Sequence, residues 1–256
     1  MAVWTPYLAA LGLGLGASFA LWLLSLRPGD ASIIDAWWGP GVLAALALAV
    51  GIGAGESGAR LRLASGLVGL WALRLGLVML RRRLRHGRED RRYRELRESY
   101  GASFWWKSLF IVFLLQAALQ WLIALAPISA ALAAPAPLGP LGWAGALAAA
   151  AGLALEGLSD AQLDRFKRDA PPGALLTAGL RRHVRYPSYT GEMIFWWGLW
   201  LIAAEVGAWW SVISPLLITF LLTRVSGAPL ADEGLARKPG YAEWAARAPA
   251  FIPWRR

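Results

Sequence analysis

Residues 61–107 read LRLASGLVGLWALRLGLVMLRRRLRHGREDRRYRELRESYGASFWWK. The stretch up to Leu80 is apolar apart from two arginines, and the stretch from Arg81 onward carries 10 Lys and Arg. About 20 apolar residues span the hydrocarbon of a bilayer as helix. Such a run ending on a dense arginine cluster reads as a transmembrane helix stopped at an interface, on the side where positive charge is retained.

Working outward, hydropathy predicts spans at 5–26, 33–54, 61–80, 108–130, 138–158, 192–206 and 208–225, the last two being short. The composition agrees: 57% of the 256 residues are hydrophobic, 16 are Trp, and mean hydropathy is +0.46. One globular core cannot hide that much apolar surface, so lipid must solvate some of it. Residues 81–107, 159–190 and 224–256 together hold 22 of the 26 Lys and Arg, and they follow the third, fifth and seventh spans. All three therefore lie on one side, which the positive-inside rule makes cytoplasmic. The expected fold is all-α: a polytopic membrane bundle of about seven transmembrane helices, N-terminus outside and C-terminus cytoplasmic. It forms one transmembrane domain over residues 1–256. Within it, a front half (residues 1–130) and a cofactor-binding back half (residues 138–256) are joined by a Pro/Ala-rich linker from Ala126 to Pro140.

Several classes of function fall away. Cysteine is absent, so disulfides, thiolate nucleophiles and cysteine-based zinc sites are excluded. His86 and His183 are the only histidines, and no paired-histidine spacing suggests a metal site. The net charge of +10 fits positive loops better than a nucleic-acid partner. The first segment lacks a basic leader and a cleavage site, so it reads as a retained helix. GLGLG at Gly12–Gly16 has no preceding strand, and helix packing explains it better than nucleotide binding. No strong internal repeat supports an inverted-repeat transporter.

The chemistry must sit in polar residues that enter the helices. Asp35, in SIIDAWWGP, and Arg74, in LWALRLGLVML, either pair with each other or each meet a ligand. Ionisable groups at membrane depth default to function, although Asp35 also suits a hydrated interface. Gln116 and Gln120 lie one turn apart and read equally as helix-to-helix glue or as a polar pocket. In LEGLSDAQLDRFKRD, Glu156, Asp160 and Lys167 share a face, either of an interfacial helix or of a binding surface. Arg88, Lys167, Arg181, Arg182, Arg185 and Arg224 ring the cytoplasmic mouth. They suit a phosphate-bearing ligand by bidentate pairing, or lipid headgroups. In RHVRYPSYTGE, residues 182–192, Pro187 disfavours helix at Tyr186, so the chain is expected to enter the sixth span near Gly191.

In order, SIIDAWWG, LWALRL, GREDRRYRELRESYG, FLLQAALQW, LEGLSDAQLDRFK, GLRRHVRYPSYTGEMIFWWG, PLLITFLLTRVSGAPLADE and KPGYAEWAARAPAFIPW resemble the bacterial DUF1295 family of the steroid 5-alpha-reductase superfamily. The resemblance runs from about Ser32 to Trp254 and is most specific in the C-terminal half. It implies a seven-helix, multi-pass reductase of the bacterial inner membrane. Such an NADPH-dependent oxidoreductase acts on CH–CH groups, reducing a double bond conjugated to a carbonyl in a lipophilic substrate taken from the bilayer.

The family's cofactor pattern falls on Glu156, Asp160 and Lys167, then on Ser188, Tyr189, Gly191 and Glu192, and on Arg224, with Arg88 after the third helix. Arg74, Gln116, Arg185 and Asp232 complete the expected cofactor contacts. Where animal steroid reductases carry asparagine, this chain has Glu156 and Ser188. The implied catalytic pair is Asp35 with a tyrosine, but Trp71 stands where that tyrosine is usual, and an indole N–H only donates. Tyr93, in the following basic loop, is the substitute acid. The runner-up is an S-adenosylmethionine-dependent methyltransferase of the isoprenylcysteine type, suggested by Asp232, Glu233, Tyr241 and Ile252-Pro253. A non-enzymatic transporter or lipid-binding bundle is the third alternative.

Overall fold

Leu, Ala and Gly dominate the apolar runs, and in lipid every backbone polar group must be satisfied within its own segment. Helices result. In the computed structural model, residues 3–53, 58–86, 89–171 and 173–252 are described, and no strand occurs among them. Helix α1 spans Thr5–Leu26, with Pro6 in the first turn, where a missing N–H leaves no bond unmade. A tight 3-10 segment, Ala31–Trp37, is capped by Asp30 on the Ser32 N–H and runs into α2, Trp38–Gly53. Then come α3 (Ala59–His86), α4 (Arg91–Tyr100), α5 (Phe104–Ser108) and α6 (Leu115–Leu132). Helices α7 (Pro140–Asp169), α8 (Pro187–Ala204), α9 (Ile213–Phe220), α10 (Ala228–Leu235) and α11 (Tyr241–Arg247) follow.

Six helical stretches are long and apolar enough to cross a membrane: Thr5–Leu26, Ala31–Gly53, Ala59–Arg82, Arg91–Leu132, Pro140–Asp169 and Trp209–Leu235. The sixth expected span is α8, a helix of 18 residues. The chain is an all-helical, multi-pass membrane protein.

Three local expectations change. The basic stretch after the third span is not a loop at Tyr93: α3 runs on to His86, and Asp90 caps α4 by accepting the Arg92 N–H at 3.1 Å. The linker from Ala126 is helical through Leu132, with Pro127 inside α6, as membrane helices tolerate. Helix α8 opens at Pro187 itself and not near Gly191, because proline suits the first helical position even as it restricts Tyr186 before it.

The chain divides into two compact units. The first comprises residues 1–138 and 203–214. In it α1, α2, α3 and α6 pack on one another. Trp22, Ile34, Tyr93, Phe104 and Phe113 form an apolar cluster beside the segment 31–37. Glu89 ties that corner together, accepting the Ala31 N–H at 2.8 Å and pairing with Arg97 at 2.8 Å. Between α5 and α6, Leu109–Leu114 is a π-helical turn. At the other end, the buried Arg60 of α3 pairs with Glu205 at 2.7 Å and donates to the carbonyls of Ala136 and Pro137.

The second unit holds residues 139–202 and 215–256. Helices α7 and α8 meet through glycine. A methyl on Gly145 would stand 2.6 Å from the Gly198 carbonyl oxygen, and one on Gly152 would stand 2.5 Å from that of Gly191. Absent side chains let the two backbones touch.

Candidate active site

In the first unit, four elements converge on Asp35. The 3-10 segment supplies Asp35, α4 supplies Arg92 and Tyr93, α6 supplies Gln116, and α2 supplies Trp38. Tyr93 donates its hydroxyl to Asp35 Oδ1 at 2.6 Å, and Arg92 donates to Oδ2 at 2.8 Å. Gln116 Nε2 donates to the Tyr93 oxygen at 2.9 Å, and Trp38 Nε1 donates to Gln116 Oε1 at 2.6 Å.

These directions are forced. An indole N–H cannot accept, so Trp38 fixes which end of the Gln116 amide is oxygen. The amide nitrogen must then face Tyr93, and the phenol's only proton points to Asp35. Tyr93 itself is 5% exposed, so this proton is held away from solvent. Behind Arg92, Asp90 accepts from Arg92 Nε at 3.0 Å and from Arg82 at 2.5 Å. Burial would raise the Asp90 pKa, but the hydrogen bonds and charge of Arg92, with Arg82, outweigh it and hold the carboxyl below its ordinary value.

One turn along α6 from Gln116, Gln120 is buried against Gly41 and Trp37. A methyl on Gly41 would stand 2.3 Å from Gln120 Oε1 and 2.6 Å from Trp37 Nε1. Neither Gln120 Nε2 nor Trp37 Nε1 has a hydrogen-bond partner among the described residues. Arg74 is half-buried on α3, and Trp71 is 2% exposed on the same helix.

In the second unit, the stretch from Arg181 to Gly191 is tied to the C-terminal segment. The Arg185 and Tyr186 N–H groups donate to the carbonyls of Pro249 and Ala250 at 2.8 and 3.0 Å. Thr190 donates to the Phe251 carbonyl at 3.0 Å. Asp232 of α10 accepts from both the Tyr186 and Tyr241 hydroxyls and from Arg185 at 3.3 Å. Burial, then the bond to Asp232, pushes both tyrosines above the usual phenol range. Burial alone would lower the Arg185 pKa, but the Asp232 charge outweighs it and raises it. Arg185 also donates to the carbonyls of Ala245 and Ala248 at 3.2 and 2.9 Å, so it locks the tail in place.

Glu156 is fully buried on α7, its Cγ 2.8 Å from where a methyl on Gly191 would stand. Asp160 is half-buried one turn on, and Lys167 is exposed near the helix end. Ser188 and Tyr189 occupy the first turn of α8, with Tyr189 stacked on Tyr186 at 5.5 Å. Glu192 accepts from Trp196 Nε1 at 2.8 Å, one turn along the same helix. Arg224 is exposed in the π-helical turn Leu221–Val225.

Asp35, Tyr93 and Gln116 are therefore in one cluster, whereas Arg185 and Asp232 join a knot with Tyr186 and Tyr241. Arg88 lies outside the described residues. Compared with known proteins, residues 21–248 match a family model described as "Protein of unknown function (DUF1295)". No curated protein and no solved structure matches the chain.

Proposed function

The chain belongs to the DUF1295 family, and on that premise we propose that it is an NADPH-dependent membrane reductase. Its reaction saturates a carbon–carbon double bond conjugated to a carbonyl in a lipophilic, steroid-like or other lipid substrate. The observation that carries this reading is the buried Tyr93 hydroxyl, 2.6 Å from Asp35 and 2.9 Å from Gln116.

Reducing an enone builds negative charge on the carbonyl oxygen, and a preorganised donor shielded from water stabilises that charge best. When bound, a reduced nicotinamide supplies the hydride that adds to the carbon beta to the carbonyl. Tyr93 turns its hydroxyl from the Asp35 carboxylate to the carbonyl oxygen and gives up its proton there, and water returns a proton to the phenolate after turnover. Gln116, fixed by Trp38, keeps the phenol oxygen in position. Arg92 holds the Asp35 carboxylate in place. Transfer of the enol proton to the alpha carbon then completes the addition of one hydride and one proton.

The second unit suits a dinucleotide phosphate. Lys167 and Arg224 are exposed cations, Ser188 and Tyr189 offer hydrogen-bonding groups at a helix start, and the buried Arg181 Nε has no partner among the described residues. The charge asymmetry of the loops supports a cytoplasmic cofactor side.

The test is turnover by purified protein in detergent, given NADPH and a steroid enone and followed by loss of NADPH absorbance. Tyr93→Phe is expected to lower kcat roughly a hundred- to ten-thousand-fold, the usual worth of general acid catalysis, with the NADPH Kd unchanged. Binding of S-adenosylmethionine without any response to NADPH would reject the reductase in favour of a methyltransferase.

A further inference from the structure

The cations of the second unit differ in what surrounds them. Arg165, Lys167, Arg168, Arg182 and Arg224 are exposed. Others are engaged: Lys238 donates to the Ala174 carbonyl at 2.6 Å, Arg237 stands 4.0 Å from Glu233, and Arg185 holds Asp232.

Arg181 fits neither description. It is half-buried, its Nε is sealed from solvent, and no hydrogen bond or ion pair reaches its guanidinium among the described residues. Burial draws its pKa below the ordinary arginine value, with the Tyr186 and Tyr189 hydroxyls the next groups around it. A guanidinium cannot shed its proton to escape such a place, so it carries a standing electrostatic cost that an anion would relieve.

The backbone holds this side chain ready. Leu180 N–H donates to Gln162 Oε1 at 2.9 Å, and Trp244 Nε1 donates to the Arg181 carbonyl at 3.1 Å. Trp244 is buried, and Gly179 sits at φ +61°, where a methyl would stand 2.3 Å from Gln162 Oε1. The backbone at Arg181 is thus tied to α7 and α11 before any ligand arrives, which lowers the backbone entropy lost on binding.

We propose that Arg181 is the receptor for a phosphate group. The phosphate is carried either by the cofactor, as the ribose phosphate that NADPH has and NADH lacks, or by an anionic lipid headgroup. The first source rests on the reductase reading, and the second does not. In both, the planar guanidinium pairs two of its N–H groups with phosphate oxygens.

The test is calorimetric titration of the full chain in detergent with NADPH and NADH, and with phosphatidylglycerol and phosphatidylcholine bicelles. If the cofactor is the source, Arg181→Gln weakens NADPH at least about tenfold, in line with a lost charged hydrogen bond, and leaves NADH unchanged. A comparable loss for phosphatidylglycerol, with both dinucleotides unmoved, identifies the headgroup. Arg181→Lys, which keeps the charge but loses the fork, is expected to fall between, and it carries the test should the glutamine variant not fold. Arg237→Gln removes an equal charge from an exposed site and is expected to move none of the four. If both Arg181 variants bind all four probes as the native chain does, the receptor is overturned. If the native chain binds neither dinucleotide, the reductase reading falls, and the lipid pair alone then decides for or against Arg181.

Discussion

At the level of single residues, a few hydrogen bonds are dictated by donors that have no alternative. Trp38 can only donate, which leaves the one Tyr93 proton aimed at Asp35, so Asp35→Asn should do more than remove a charge. The amide presents an N–H as well as an oxygen to Tyr93 and Arg92, so the acceptor that orients the phenol is lost. Turnover should fall about as far as in Tyr93→Phe, checked in the same NADPH absorbance assay. The tyrosine knot has its own signature. Tyr186 and Tyr241 are held above their unfolded pKa of about 10. Stability from the knot is therefore whole below about pH 10 and is lost as pH climbs beyond it. Followed by phenolate absorbance, Asp232→Asn should bring the titrations of Tyr186 and Tyr241 forward. Asp35 was legible in the sequence because a carboxylate at membrane depth stands out against its neighbours. Tyr93 was legible as a candidate acid but not as the partner of Asp35, since 58 residues separate the two. Tyr186 with Asp232, 46 residues apart, left no local trace at all.

Helices were easier to read than their ends and faces. Spans follow from runs of apolar residues, which act locally, so α1, α2 and α7 fall close to where hydropathy puts them. Tyr93 was misplaced in a loop because ten basic residues mask helix periodicity that only the Asp90 cap and the Glu89–Arg97 pair reveal. The α7–α8 contact makes a sharp prediction. Gly152→Ala and Gly191→Ala each push a methyl against backbone, and each should cost about 1–3 kcal/mol in thermal melts. Gly157→Ala on the same helix α7 meets nothing within 4 Å. It should be neutral or stabilising by up to about 1 kcal/mol, because alanine is the better helix former. Because Gly191 also covers Glu156, its alanine variant should disturb that buried carboxyl as well.

For the molecule as a whole, residues 139–202 and 215–256 form one unit and residues 1–138 and 203–214 the other. Residues 203–214 return to the first unit, where Ser214 donates to the Ile123 carbonyl at 2.6 Å and Glu205 meets Arg60. No hydropathy window could show this, because the ties are a buried hydrogen bond and a buried ion pair between residues far apart in sequence. Glu205→Gln should destabilise the protein by about 3–5 kcal/mol, since it leaves the Arg60 charge uncompensated. Replacing Arg60 by Met in the same protein should restore much of that loss, and comparing the three melting temperatures checks both statements. The same tie has a consequence in time. Glu205 lies 145 residues downstream of Arg60. At about 5–20 residues per second, the ribosome delivers it roughly 7–30 s later. During that interval α7 and α8 are made while the first unit still lacks its last segment. The first unit is thus closed only after most of the second has been made, and a ribosome stalled before the end of α8 would leave an arginine waiting for its acid.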